Sequence, residues 1–214
     1  MMENMVLAIL IGAPYTLALT AASFAIGAVL GLPICAMRQG KSVVLRFLMT
    51  ALILTFRAIP PIVWLFFIFF GIGTGFVPMS PFTAACIGLG LITAVNMAEI
   101  YRGALTAIHS GQWEASKALG LPLKSMLLEI VGPQLVRISI PAAATYAIGL
   151  LKDSAIASVI GVQELAFQGH RVSVQTFRGL DVYAIVAVIY IAMSLPIAWL
   201  SRTIDLRMRA RVAR

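Results

Sequence analysis

Five long apolar stretches, about residues 9–37, 43–71, 82–101, 138–162 and 182–200, decide most of what this 214-residue chain can become. A helix needs about 20 mainly apolar residues to cross a hydrocarbon core roughly 30 Å thick, and each stretch is long enough. Lipid offers backbone amides no hydrogen-bond partner, so a spanning segment must satisfy its own, as a helix does. The expected fold class is an all-α integral membrane protein with about five transmembrane helices. Composition agrees: 61% of the residues are hydrophobic and 11% charged, against roughly 45–50% and 25% in soluble domains. That excludes a disordered chain, a collagen-like repeat and a disulfide-stapled secreted domain.

Sixteen Lys and Arg against eight Asp and Glu leave a net charge of +8. In a membrane chain this excess concerns topology and does not point to nucleic acid. Arg38, Lys41 and Arg46 fall in the first loop, and Arg102, Lys117, Lys124 and Arg137 in the polar stretch 102–137, expected to be a loop. Arg202, Arg207, Arg209, Arg211 and Arg214 complete twelve of the sixteen on one side. Arg171 and Arg178 lie on the other, with Lys152 near it, and Arg57 falls inside the second stretch. Basic loops stay cytoplasmic, so the N-terminus is expected outside and the C-terminus inside. The basic tail, 208–214, then faces anionic lipid. The opening MMENM lacks the positive region of a signal peptide, so the first span is expected to be retained.

Several features have bland readings. Cys35 and Cys86 lie in different spans and read as small packing residues. Gly27-x3-Gly31 is a spacing that lets helices approach closely. Trp64, Phe66, Phe67, Phe69 and Phe70 read as lipid-facing packing. Gly40-Lys41-Ser42 has the ending of a phosphate-binding loop, but the glycine required five residues earlier is Cys35. The chain by itself is thus expected not to hydrolyse nucleotide. His109 and His170 are isolated and read as solvated, and no metal spacing or nucleophile–base constellation appears. No catalytic residue, metal site or cofactor is expected in this chain.

The segment Gly111-Gln112-Trp113-Glu114-Ala115-Ser116-Lys117-Ala118-Leu119-Gly120-Leu121-Pro122 is more informative. Glu114 near the start of a short helix would suit the positive end of its dipole. Gly120 is placed to end that helix and Pro122 to open the next. Trp113, Ala115, Ser116 and Leu119 would offer a small, partly apolar surface. Two readings follow from the residues: a docking knob at the membrane face, or an amphipathic helix resting on lipid.

Glu114-Ala115-Ser116-x3-Gly120-x9-Ile130-x-Gly132-Pro133 resembles the E-A-A-x3-G-x9-I-x-L-P loop of permease subunits of binding-protein-dependent ABC importers. Ser116 replaces an alanine of that pattern and Gly132 its leucine. Ala98-Glu99-Ile100-x-Arg102-Gly103, Gly111-Gln112 and Ala118-Leu119-Gly120-Leu121 are similar to the polar amino acid branch (His, Gln, Glu, Arg, opine). So are Phe56-Arg57-x2-Pro60, Pro133-Gln134-x2-Arg137-x3-Pro141, Leu150-Leu151-Lys152-Asp153-Ser154 and Ile160-Gly161-Val162-x-Glu164-Leu165. The resemblance implies one permease domain over 12–207, of the type I importer fold, containing a cytoplasmic coupling loop over 102–137. It implies a bacterial inner-membrane protein that imports an amino acid and pairs with a sister permease or a second copy of itself. Two ATPase subunits would use the ATP and receive Gln112, Glu114, Ala115, Ser116 and Gly120. An external solute-binding protein would contact the segment 163–181. Thr145-Tyr146-Ala147, Ala155 and His109 depart from the family pattern. A permease for methionine or an opine-like solute is the rival within transporters, and a non-ABC channel or membrane scaffold the rival from another class.

Charges within the apolar stretches carry a second set of candidates. Arg57 follows Arg46 by eleven residues, roughly 16 Å along a helix, where a charge costs about 2.5–3.5 kcal/mol on insertion scales. Pro60 and Pro61 come within a turn and should break the helix, freeing carbonyls that suit a cavity wall. Lys152-Asp153-Ser154 interrupts the fourth stretch, and Glu99 ends the third. Arg57, Pro60, Glu99, Lys152, Asp153 and Ser154 either line a substrate path or form structural ion pairs.

Overall fold

The computed structural model describes residues 2–212, with side chains described over 2–204. The basic tail expected over 208–214, with Arg209, Arg211 and Arg214, has its side chains outside the described residues, as does Arg207 before it. The described residues form helices joined by short turns, with no strand among them. The first apolar run forms α1 (Met2–Leu10) and α2 (Ala13–Arg38), the second α3 (Val43–Ala58) and α4 (Pro61–Phe66) with a π-helical extension Phe67–Gly73. Then come α5 (Pro81–Thr106), the short α6 (Ser110–Ala118) and α7 (Leu123–Ser125), and a π turn Met126–Val131. The chain continues as α8 (Gly132–Asp153), a 3₁₀ segment Ser154–Ile160, α9 (Leu165–Thr176) and α10 (Gly179–Val212).

Among the described residues four helices are each long and apolar enough to cross a bilayer: Met2–Arg38, Pro81–Thr106, Leu123–Ile160 and Gly179–Ile204. Val43–Ala58 and Pro61–Gly73 qualify as a bent pair, turned by 101° at the break. The five expected spans are therefore present, the second broken where Pro60 and Pro61 denied the helix its amide donors. Phe56 and Trp64 stack across that break, with ring centroids 4.2 Å apart and planes 6° off parallel. Phe66, Phe67 and Phe70 remain exposed, as lipid-facing residues should.

The fourth span differs from its expected limits: it begins at Leu123, not near 138, so the last part of the stretch 102–137 is helical. The polarity of that stretch pointed to a loop. Instead the π turn before Gly132 lets its N–H donate to the Leu127 carbonyl, and the following proline starts α8, where its missing N–H costs little. A Cβ on Gly132 would lie 2.7 Å from that same carbonyl oxygen.

Helix α5 is the centre of the bundle, with 61% of its most apolar window buried inside the chain. It lies against α2 along a stripe of small residues. A Cβ on Gly27 would lie 2.2 Å from Thr93 Cγ2, and one on Gly31 2.8 Å from Met97 Cβ. Because both are glycine, the backbones approach closely enough for Tyr101 to donate its hydroxyl to the Ala28 carbonyl at 3.0 Å. Cys35 and Cys86 are free thiols buried in this packing. Ser42, the end of the false phosphate loop, caps α3 by accepting the Leu45 N–H.

Overpacking a filled seam costs about 1–3 kcal/mol, whereas a Cβ on Gly103 would meet nothing within 4 Å. Gly27→Val should therefore lower the melting temperature of the detergent-solubilised protein, and Gly103→Ala should leave it unchanged or raise it slightly. Size-exclusion profiles after graded heating give both, and equal melting of the two variants would contradict the seam.

Candidate functional site: a presented helix and the charges of the bundle

Helix α6 is built to be held on one side and open on the other. His109 supplies its N-cap, accepting the Gly111 N–H at 3.1 Å through Nδ1, so it is a structural residue and not merely a solvated one. The cap sets the first turn at Ser110–Trp113, and Glu114 falls beyond it. The dipole reason for Glu114 does not hold, because its carboxylate is too far along the helix. At the other end the Leu119 N–H donates to Ala115, the Gly120 N–H to Lys117 and the Leu121 N–H to Ser116. These bonds need Gly120 in the left-handed region, at φ +65°, where glycine has no Cβ to strain. Pro122 then caps α7.

Trp113 turns inward against the cluster of Ile108, Met126 and Val131, and Ser116 is 1% exposed, its hydroxyl donating to the Gln112 carbonyl at 2.6 Å. The small surface expected from Trp113, Ala115, Ser116 and Leu119 is thus split by the helical period. Trp113 and Ser116 anchor the helix, and Glu114, Ala115, Leu119 and Gly120 stay outside. Gln134 on α8 donates its amide to Gln112 Oε1 at 3.3 Å and to the Ile130 carbonyl at 2.9 Å. That pair ties α6 to the base of the fourth span, a link between residues 22 apart that spacing alone does not reveal.

The charges within the apolar helices separate into two kinds. Glu99 on α5 is engaged from both sides, by Arg38 at the end of α2 and by Arg102, whose Nε donates to Oε2 at 3.1 Å. Arg38, counted from sequence only as a topology charge, is therefore a ligand of the third span's carboxylate. Arg57 lies exposed at the end of α3, with no ion-pair partner among the described residues. Pro60 caps α4 beside it. Lys152 and Asp153 are exposed where α8 gives way to the 3₁₀ segment, and Ser154 is fully buried, donating to the Leu151 carbonyl at 2.7 Å. Between α5 and α8, Tyr146 donates to Thr93 Oγ1 at 3.3 Å and accepts from Asn96 at 3.5 Å. Tyr146 belongs to the Thr145-Tyr146-Ala147 departure, and its contacts depend on how α8 is rotated, which periodicity does not fix.

The E-A-S-x3-G sequence thus lies on a presented helix at one end of a bundle of apolar spans. The family model for binding-protein-dependent transport system inner membrane components matches residues 23–210, and the chain belongs to that family. A probable amino-acid ABC transporter permease protein, YckA of Bacillus subtilis, is 35% identical over 182 residues, 85% of this chain and 80% of its own. The arginine ABC transporter permease protein ArtQ of Escherichia coli is 30% identical over 220 residues, 86% of this chain and 92% of its own. A solved amino acid ABC transporter, determined with histidines, superposes with a TM-score of 0.88 at 30% identity, over 96% of both chains. The fold is that of type I ABC importer permeases, and the chain is a multi-pass inner-membrane transport subunit. Membership of this family removes the non-ABC channel and scaffold readings.

The ion pair of Glu99 and Arg38 has a direct test. Glu99→Gln and Arg38→Gln should each destabilise the solubilised protein, because each leaves a half-buried charge short of a partner. A double-mutant cycle on melting should give a coupling energy of about 0.5–3 kcal/mol. Additive single effects would show that the two side chains do not support each other.

Proposed function

We propose that this chain is the membrane-spanning subunit of an ATP-driven importer of amino acids, with its N-terminus outside and its C-terminus in the cytoplasm. The observation that carries the reading is the outer ledge of α6, formed by Gln112, Glu114, Ala115 and Gly120 and braced from within by Ser116 and Trp113. A ledge so fixed to α8 seats in a cleft of an ATPase subunit and passes its motion to the spans as a rigid-body shift. ATP is bound and hydrolysed by that partner, and this chain holds no cofactor of its own. Five spans do not enclose a path alone, so the subunit pairs with a sister permease or a second copy, above two ATPase subunits. An external binding protein delivers the solute to the face formed by 163–181.

Support for an amino acid as solute comes from the names of its relatives and from Lys152-Asp153 at the end of α8. Arg57, Pro60, Lys152 and Asp153 line the path: they are charged or helix-breaking residues exposed on the bundle, where an isolated charge is costly unless it faces water or solute. Glu99 and Ser154 border it, Glu99 held by its arginines and Ser154 by its own backbone bond.

A left-handed backbone costs a β-branched residue about 1–2 kcal/mol, while asparagine tolerates it. Gly120→Val should therefore distort the end of α6 and cut ATP-driven uptake by the reconstituted complex at least about tenfold, with membrane insertion unchanged. Gly120→Asn should transport near the wild-type rate. Wild-type uptake by the valine variant would remove α6 from the coupling role.

A further inference from the structure

The motif Ile160-Gly161-Val162-x-Glu164-Leu165 has no part in the coupling ledge or in the charged path, yet it holds the most buried carboxylate of the described residues. Glu164 is 0% exposed. Its Oε1 accepts the Phe167 N–H at 2.8 Å, capping α9. Its Oε2 accepts the Tyr190 hydroxyl of α10 at 2.7 Å. Its backbone is pressed against the break between α1 and α2: a Cβ on Gly12 would lie 2.6 Å from the Glu164 carbonyl carbon. Beside it the Leu165 N–H donates to Thr16 Oγ1 at 3.1 Å, across 149 residues of sequence. Tyr190 also lines one cavity with Ile148 and Lys152, at the end of α8 where it gives way to its 3₁₀ segment.

Three interruptions of the helical backbone thus meet at one side-chain pair: the α1–α2 break, the end of α8 at Asp153, and the start of α9. Breaks free backbone groups and allow hinge motion, but here a single carboxylate and a phenol tie them together. Leu165 and Val172 of α9 seal the pair beneath Met5, Ile9, Val182 and Val186. Burial pushes the Glu164 carboxyl above its usual range, and hydrogen bonds from Tyr190, Thr16 and the α9 amides oppose that rise. A buried carboxyl with this many donors is restrained in one geometry. The Tyr190 bond adds nothing to the α9 cap, which Oε1 makes alone. What it adds is a link from α9 to the helix that borders Lys152.

We propose that Glu164 and Tyr190 are positioning residues that transmit movement of α9 to the Asp153–Ser154 break, so that a binding protein engaging the outer face shifts the Lys152-Asp153 end of α8. This rests on the reading of 163–181 as the binding-protein face. Neither side chain touches the solute. Their bond makes α9, the 3₁₀ segment and the outer part of α10 move as one body.

Tyr190→Phe isolates the link, since it keeps the ring and leaves the Oε1 cap of α9 in place. The wild-type complex, permease with its ATPase, is reconstituted in nanodiscs and its ATPase activity measured with and without amino-acid-loaded binding protein. Tyr190→Phe should keep the basal rate and lose about three- to tenfold of the stimulated increment. Glu164→Gln, whose amide retains an acceptor for Phe167 and a polar partner for Tyr190, should keep more stimulation than Glu164→Ala. Hydrogen exchange on the same complexes without binding protein supplies a second reading. In Tyr190→Phe the segments 154–160 and 165–176 should both exchange faster, with α5 unchanged. Full stimulation in Tyr190→Phe, an equal fall in basal and stimulated rates, or unchanged exchange in both segments would overturn the proposal. A wild-type complex that no binding protein stimulates would instead overturn the assignment of the outer face, and the exchange result would still decide the mechanical link.

Discussion

The close approach of α2 and α5 is the constraint on which the remaining structure depends. Within lipid there is little hydrophobic gain from pressing one apolar helix on another, so association rests on dispersion contacts and short polar bonds. Gly27 and Gly31 provide both: they admit Thr93 and Met97 at distances no Cβ would allow, and they bring Tyr101 within bonding reach of the α2 backbone. With that seam in place, Arg38 at the end of α2 reaches Glu99 near the end of α5. The same end of α5 then projects α6 away from the bundle, and the π turn and α8 return beneath it.

The two ends of the bundle solve opposite problems. At the end carrying α6, one short helix has to be exposed without being loose, and Trp113, Ser116 and the Gln112–Gln134 contact secure it from behind. At the other end, three interruptions of helical backbone come together, and the buried Glu164–Tyr190 pair joins them with Thr16. Between them α8 runs the whole distance, from Gln134 to Asp153. In the proposed function α8, joined to a ledge at one end and to a tied break at the other, carries the movement between them.

Much of this was legible in the residues, for physical reasons that differ from one feature to another. Span number followed from run length, and the bend at Pro60–Pro61 from missing amide donors. Gly120 was placed by the geometry of a helix C-terminus. Glu114 shows where such inference stops: its place along α6 depends on where the helix begins, and His109 moves that start by capping it. The start of the fourth span was hidden because the stretch before residue 138 is too polar to read as a span, while the helix runs on through it from Leu123. The long-range partners Arg38–Glu99, Tyr146–Thr93 and Glu164–Tyr190 depend on the rotation of one helix against another, which no single periodicity specifies.

The central claim is that movement of an ATPase, received at α6, drives an amino acid across this bundle. The most direct measurement is uptake of labelled amino acids into proteoliposomes containing the permease complex, with the binding protein outside and ATP on the α6 side. The account predicts accumulation of one or a few amino acids against their gradient, dependent on both ATP and binding protein. Accumulation without ATP, or ATP hydrolysis that never moves an amino acid, would contradict it.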